Sequence, residues 1–83
     1  METDSRALLE NLDKLHTTIL GVDRIKKNLD LSVDDVVAWC KAALRDKRCG
    51  ISRKGKNWYA DIDAGRITIN AHSYTIITAH RKK

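Results

Sequence analysis

The 83-residue chain contains no proline and no phenylalanine, and its aromatic residues are only Trp39, Trp58, Tyr59 and Tyr74. Without proline there is no proline-rich linker, and no repeat or low-complexity tract divides the chain. One domain over residues 1–83 is expected, with a single small core. So few rings leave most of the packing to aliphatic side chains. Cysteine is scarce as well: Cys40 and Cys49 fit neither C-x-x-C nor a familiar zinc spacing. Both are expected to be reduced thiols, with Cys40 on the apolar face of a helix. A zinc site from Cys40, Cys49, His72 and His80 is geometrically conceivable, but buried cysteines are the simpler reading, and no metal or cofactor is expected. No apolar run reaches the length of a membrane-crossing helix, and METDSRALLE has no signal-peptide pattern. A cytoplasmic location away from membranes is the expectation.

Acidic residues are lacking in one half only. Residues 1–46 carry seven Lys/Arg against nine Asp/Glu, a net of −2, whereas residues 47–83 carry nine against two, a net of +7. Clustered cations gain affinity for a polyanion by displacing its counterions, so the second half reads as a nucleic-acid face. A solvated basic surface is the plainer alternative.

What is present divides the same way. Leu8, Leu12, Leu15 and Ile19 recur at helical spacing, which predicts an amphipathic helix from Asp4 to about Thr18 with Asp4 or Ser5 at its start. Gly21 then reads as its end, and Asp23 as the cap of a short helix, Arg24–Leu29, with Ile25 and Leu29 inward. Ser32 with Asp35 resembles a capping box for a third helix. Its buried face would be Val33, Val36, Val37, Cys40, Ala43 and Leu44, up to about Arg45. A helix-turn-helix is disfavoured, because Asp34 and Asp35 would point at phosphates and acceptor-rich base edges.

After Arg48 the period changes. Cys49–Arg53 and Asn57–Asp61 read as strands joined by a Lys54-Gly55-Lys56 turn, and Asp63-Ala64-Gly65 leads into Arg66–Asn70 and Tyr74–His80. The fold class expected is α+β: three N-terminal helices (residues 1–46) packed on one face of a three- or four-stranded antiparallel sheet (residues 47–83). The last strand has apolar groups on both faces, which suggests a central place in the sheet.

If the side with Thr68, Asn70, Tyr74, Thr78 and His80 is open, it combines an imidazole, hydroxyls and an amide. Metal-independent RNA cleavage needs a base for the 2′-hydroxyl, an acid for the leaving oxygen and cations on the phosphate. His80 and His72 are the candidates for proton transfer, with Arg66, Arg81 and Lys56 for the phosphate. Arg53, Lys54 and Lys82 extend the basic surface, and Trp58, Tyr59 or Tyr74 would stack an unpaired base. Set against this, threonine and tyrosine are ordinary strand residues, His72 suits any polar turn, and His16 suits a helix end.

The segments LLENLDKLHTTILGVDRIKKNL and RKGKNWYADIDAGRITINAHSYTIITAH resemble a family of small bacterial and phage proteins classed as a domain of unknown function. That likeness implies no activity. The closing SYTIITAHR looks like the last strand of ribonuclease toxins of the barnase, colicin and RelE-like group. The resemblance implies helices before a small antiparallel sheet, with Thr78 and His80 at site positions and His16 as a residue supplied by an early helix. The expected function is RNA-directed binding, extending to endoribonuclease activity of the toxin type. The alternative is a non-catalytic binding or inhibitor protein of phage or mobile-element origin that docks its basic sheet on a nucleoprotein complex. The partners expected are RNA or another nucleic acid, with an antitoxin or a nucleoprotein complex as the protein partner. Oligomeric state is not legible.

Overall fold

A computed structural model describes the backbone of residues 2–81 and the side chains of residues 6–81. Helices α1 (Glu2–Glu10), α2 (Ile19–Leu29) and α3 (Val36–Arg45) precede strands β1 (Gly50–Lys54), β2 (Asn57–Asp61), β3 (Gly65–Asn70) and β4 (Ile76–Arg81). The sheet is an antiparallel meander in the order β1-β2-β3-β4, so the α+β class and the antiparallel sheet match expectation.

The helix boundaries differ from the periodicity. α1 stops at Glu10, a short 3₁₀ turn covers Leu12–Lys14, and Leu15 is already extended. The Thr17-Thr18-Gly21 cluster begins a helix instead of ending one, because the Thr18 hydroxyl accepts the Gly21 amide at 3.0 Å and caps α2. Asp4 and Ser5 fall inside α1 instead of capping it, and their side chains lie outside the described residues. Leu8, Leu12 and Leu15 are buried as expected, but Ile19 is 83% exposed, since the chain leaves the helical path before reaching it. Asp35, not Ser32, caps α3, accepting the Ala38 amide at 3.0 Å.

One hydrophobic cluster gathers Leu8, Ile25 and Leu29, the α3 residues Val36, Cys40 and Leu44, and the strand residues Trp58, Ala60, Ile67, Ile69, Ile76 and Ala79. The pleat puts alternate strand residues on that side, which is why Trp58 and Ala60 pair across β2–β3 with Ile69 and Ile67. The other side of the sheet carries Ser52, Tyr59, Thr68 and Thr78 in one row and Asp61, Arg66 and His80 in the next.

β4 is an edge strand, not a central one. A bulge at Thr68/Ile69 sets Ile76 and Thr78 against successive β3 residues, leaving Ile77 unpaired and exposed, and this explains apolar groups on both faces. The outer edge is guarded. His16 exchanges backbone hydrogen bonds with Tyr74 and Ile76 (3.2 and 2.7 Å), Thr17 donates to the Ile76 carbonyl (3.0 Å), and Asn28 donates to that of Ala79 (2.9 Å).

Candidate nucleic-acid interface

The side of the sheet away from the core is built by simple alternation. Tyr59 lies between Trp58 and Ala60, both buried, so its ring must emerge on the opposite side, where it is half-buried beside Thr68. Gly55 turns the chain at φ +61°, a conformation natural to glycine, and brings Lys54 and Lys56 to the end of the same hairpin. Ser52, Lys54, Gly55, Tyr59 and Arg66 line a shallow cleft of about 390 Å³. The Arg66 guanidinium sits 5.8 Å from the Tyr59 ring centre and is held by Asp61 through bonds of 2.8 and 3.4 Å. That hydrogen-bonded carboxylate raises the Arg66 pKa above its ordinary value, and Asp61 neutralises part of its charge.

The residues singled out in the sequence fall in several places. Lys54, Tyr59 and Arg66 converge on the cleft, and exposed Arg81 faces Gly65 at the far end of β4. Arg53 does not join them. It lies in register with Trp58, stacks 5.7 Å above that indole and donates to the Gly55 carbonyl at 3.0 Å. Trp58 is only 2% exposed and cannot stack a base from solvent. Tyr74, expected on the open side, packs against Trp58 with ring centres 5.3 Å apart. Its φ of +60° turns the ring there, so the β4 alternation does not extend back to it. Lys56 lies in the β1–β2 turn, where its carbonyl accepts the Ala71 amide, and Lys82 is outside the described residues.

The three histidines do not converge. His80 stands opposite Arg66 at one end of β3, whereas His72 follows Asn70 at the other, about 13 Å along the strand. His16 is neither on a helix nor at a helix end. It lies in the extended segment beside Thr75, with Nε2 3.0 Å from the Thr75 hydroxyl and Nδ1 2.9 Å from the Lys14 carbonyl. Because a carbonyl only accepts, Nδ1 carries a proton towards Lys14. The Thr78 hydroxyl is covered and has no hydrogen-bond partner among the described residues. Among those residues no three His, Cys, Asp or Glu side chains are placed to hold a metal ion, so Cys40, Cys49, His72 and His80 form no such cluster.

Two features escaped the sequence reading. The Thr75–Ser73–Asn70 hydrogen-bond chain that shapes the β3–β4 turn (2.7 and 3.2 Å) depends on His16, 59 residues from Thr75. The second is a cleft between the end of α3 and the β2–β3 turn. A run of alanines and short polar residues gave no signal for either.

The chain belongs to the family DUF3781, described as a protein of unknown function, whose model matches residues 9–80. No curated protein and no solved structure matches it. Among the described residues no helix is long and apolar enough to cross a membrane.

Proposed function

We propose that this member of the DUF3781 family binds single-stranded RNA on the sheet side that carries Tyr59, without cleaving it. In this reading the helices cover the side bearing Trp58 and Ile67, and the opposite side is left for ligand. The observation that carries the proposal is the half-exposed Tyr59 ring in a cleft walled by Lys54, Ser52 and Arg66. A ring with cations beside it suits an unpaired base and the phosphates that flank it. The polar row of Ser52, Tyr59, Thr68 and Thr78 spans about 14 Å across four strands, room for a few nucleotides. Binding is preferred to cleavage because His80 and His72 stand at opposite ends of the sheet and the Thr78 hydroxyl is covered. A transferred proton must be within hydrogen-bond reach of both its donor and its acceptor.

Fluorescence anisotropy with a labelled single-stranded oligoribonucleotide at low salt tests this. Tyr59→Ala is expected to weaken binding by roughly 5- to 150-fold, the range of one base stack of about 1–3 kcal/mol. The RNA should be recovered intact. No affinity at low salt, or full affinity in Tyr59→Ala, overturns the reading. Cleavage that disappears in His80→Ala replaces it with the nuclease.

A further inference from the structure

A second cleft, of about 300 Å³, opens between the end of α3 and the β2–β3 turn. It exists because its walls are small: Ala42 and Ala43 on the helix and Ala64 on the turn leave a gap over Ile62, with the Trp39 ring as one side. Ile62 is buried, Trp39 and Cys49 are half-buried, and the Cys49 thiol faces the same space. The rim is charged. Arg48 lies 3.1 Å from a carboxylate oxygen of each of Asp46 and Asp63, an exposed ion-pair link between the α3–β1 turn and the β2–β3 turn.

The cleft lies between the acidic and the basic half of the chain, and the charged residues that line it, Asp46, Asp63 and Arg48, are net negative. Two carboxylates share one guanidinium at the rim, and the C-terminal, partially negative end of α3 lies beside them. The Cys49 thiol has its pKa raised first by burial and then by the nearby charges of Asp46 and Asp61. A phosphate or carboxylate is therefore disfavoured here, and the cleft is separate from the surface assigned to RNA.

We infer that the Trp39–Ala64 cleft binds a small organic cation, a flat apolar body bearing a protonated amine. The body fills the gap over Ile62 against the Trp39 ring, which also attracts a cation through its face. The ammonium lies at the rim, where it hydrogen-bonds Asp46 or Asp63. The volume is at the lower end of small-molecule sites, so the ligand is a fragment-sized amine and not an extended chain.

Phenethylamine, 3-phenylpropionate and ethylbenzene, of nearly equal shape, can be titrated into isotope-labelled full-length protein followed by amide and indole NMR shifts. The amine is expected to saturate shifts at Trp39, Ala43, Ile62 and Ala64, and to bind at least about 10-fold more tightly than the carboxylate, a difference of about 1.4 kcal/mol. Asp63→Asn should reduce that preference, and Ala64→Leu should abolish binding by filling the gap. As a readout on the unaltered chain, saturating amine should slow alkylation of Cys49 by iodoacetamide several-fold. Equal binding of amine and carboxylate, no saturable shifts with the amine, or unaltered Cys49 alkylation overturns the proposal. These outcomes are independent of RNA binding.

Discussion

Trp58 and Tyr59 are neighbours in sequence and lie on opposite sides of the sheet, which separates a core ring from a half-exposed one. Composition treats the two alike; the pleat does not. The two cysteines diverge similarly. Cys40 is wholly buried, and desolvation pushes its pKa up from 9.0 to about 12, whereas Cys49 is half-exposed and less perturbed. A thiol-reactive dye at pH 8 should therefore label Cys49 in the native protein and Cys40 only on unfolding. The sign of the stability effect follows from the protonated form being favoured in the folded state. This contribution is complete below about pH 9 and is lost as pH rises towards about 12, by up to about 1.4 kcal/mol per unit. Denaturant titrations of the reduced protein from pH 8 to 11, compared with Cys40→Ala, should show a steeper decline in the wild type, since Cys49 contributes to both. Parallel curves would place the Cys40 thiol in water.

At the scale of elements, the start of α2 decides how the N-terminal half meets the sheet. Thr18 caps the helix while Thr17 reaches across to the Ile76 carbonyl, so one threonine pair both starts α2 and fastens it to β4. Gly21 leaves room for this. A methyl group added there would collide with the Thr17 hydroxyl. Gly21→Ala is therefore expected to destabilise the protein by about 1 kcal/mol despite the better helix propensity of alanine, because the hydroxyl must leave its acceptor. In a Thr17→Ala background the cost should shrink or reverse towards the propensity gain of roughly 0.5–1 kcal/mol, since only the milder approach to the Thr18 hydroxyl at 3.3 Å then opposes it. Thermal or urea unfolding of the four proteins measures the coupling, and simple additivity would disprove the contact. Gly65 is tighter still: a Cβ there would meet the His80 backbone where β3 and β4 approach.

At the scale of the molecule, the +7 net charge of residues 47–83 against −2 for residues 1–46 is partly internally compensated. Arg48 and Arg66 are held by carboxylates, whereas Lys54 and Lys56 extend from the end of a hairpin. If the RNA reading holds, each phosphate contact contributes a slope of about −0.7 in log K against log salt for a single strand. Reversing Lys54 and Lys56 to Glu should then flatten the slope by about 1.4 and weaken binding most at low salt, as anisotropy at several salt concentrations would measure. An unchanged slope would move the phosphate path elsewhere on the protein.

Local pattern alone set the class of the fold, the inward positions Leu8, Ile25, Leu29, Val36, Cys40 and Leu44, and the hairpin positions. These depend on local period and on turn residues such as Gly55, whereas the caps expected at Asp4 or Ser5, Asp23 and Ser32 are not the ones used. The sequence also determined which half is basic, since charge is carried by residues whatever their arrangement. Tertiary structure alone decided that the Thr17–Gly21 stretch starts a helix and that β4 is an edge strand closed by His16 and Asn28. It also decided that Tyr74 turns inward while Tyr59 stays out. Each of these depends on groups far apart in the chain or on a single positive φ, and neither leaves a periodic trace. The histidines illustrate the limit: two of them sit eight positions apart in one hairpin, yet a bulge and a strand's length set them at opposite ends of the sheet. Proximity in sequence along a strand is distance in space, because an extended backbone advances about 3.3 Å with every residue.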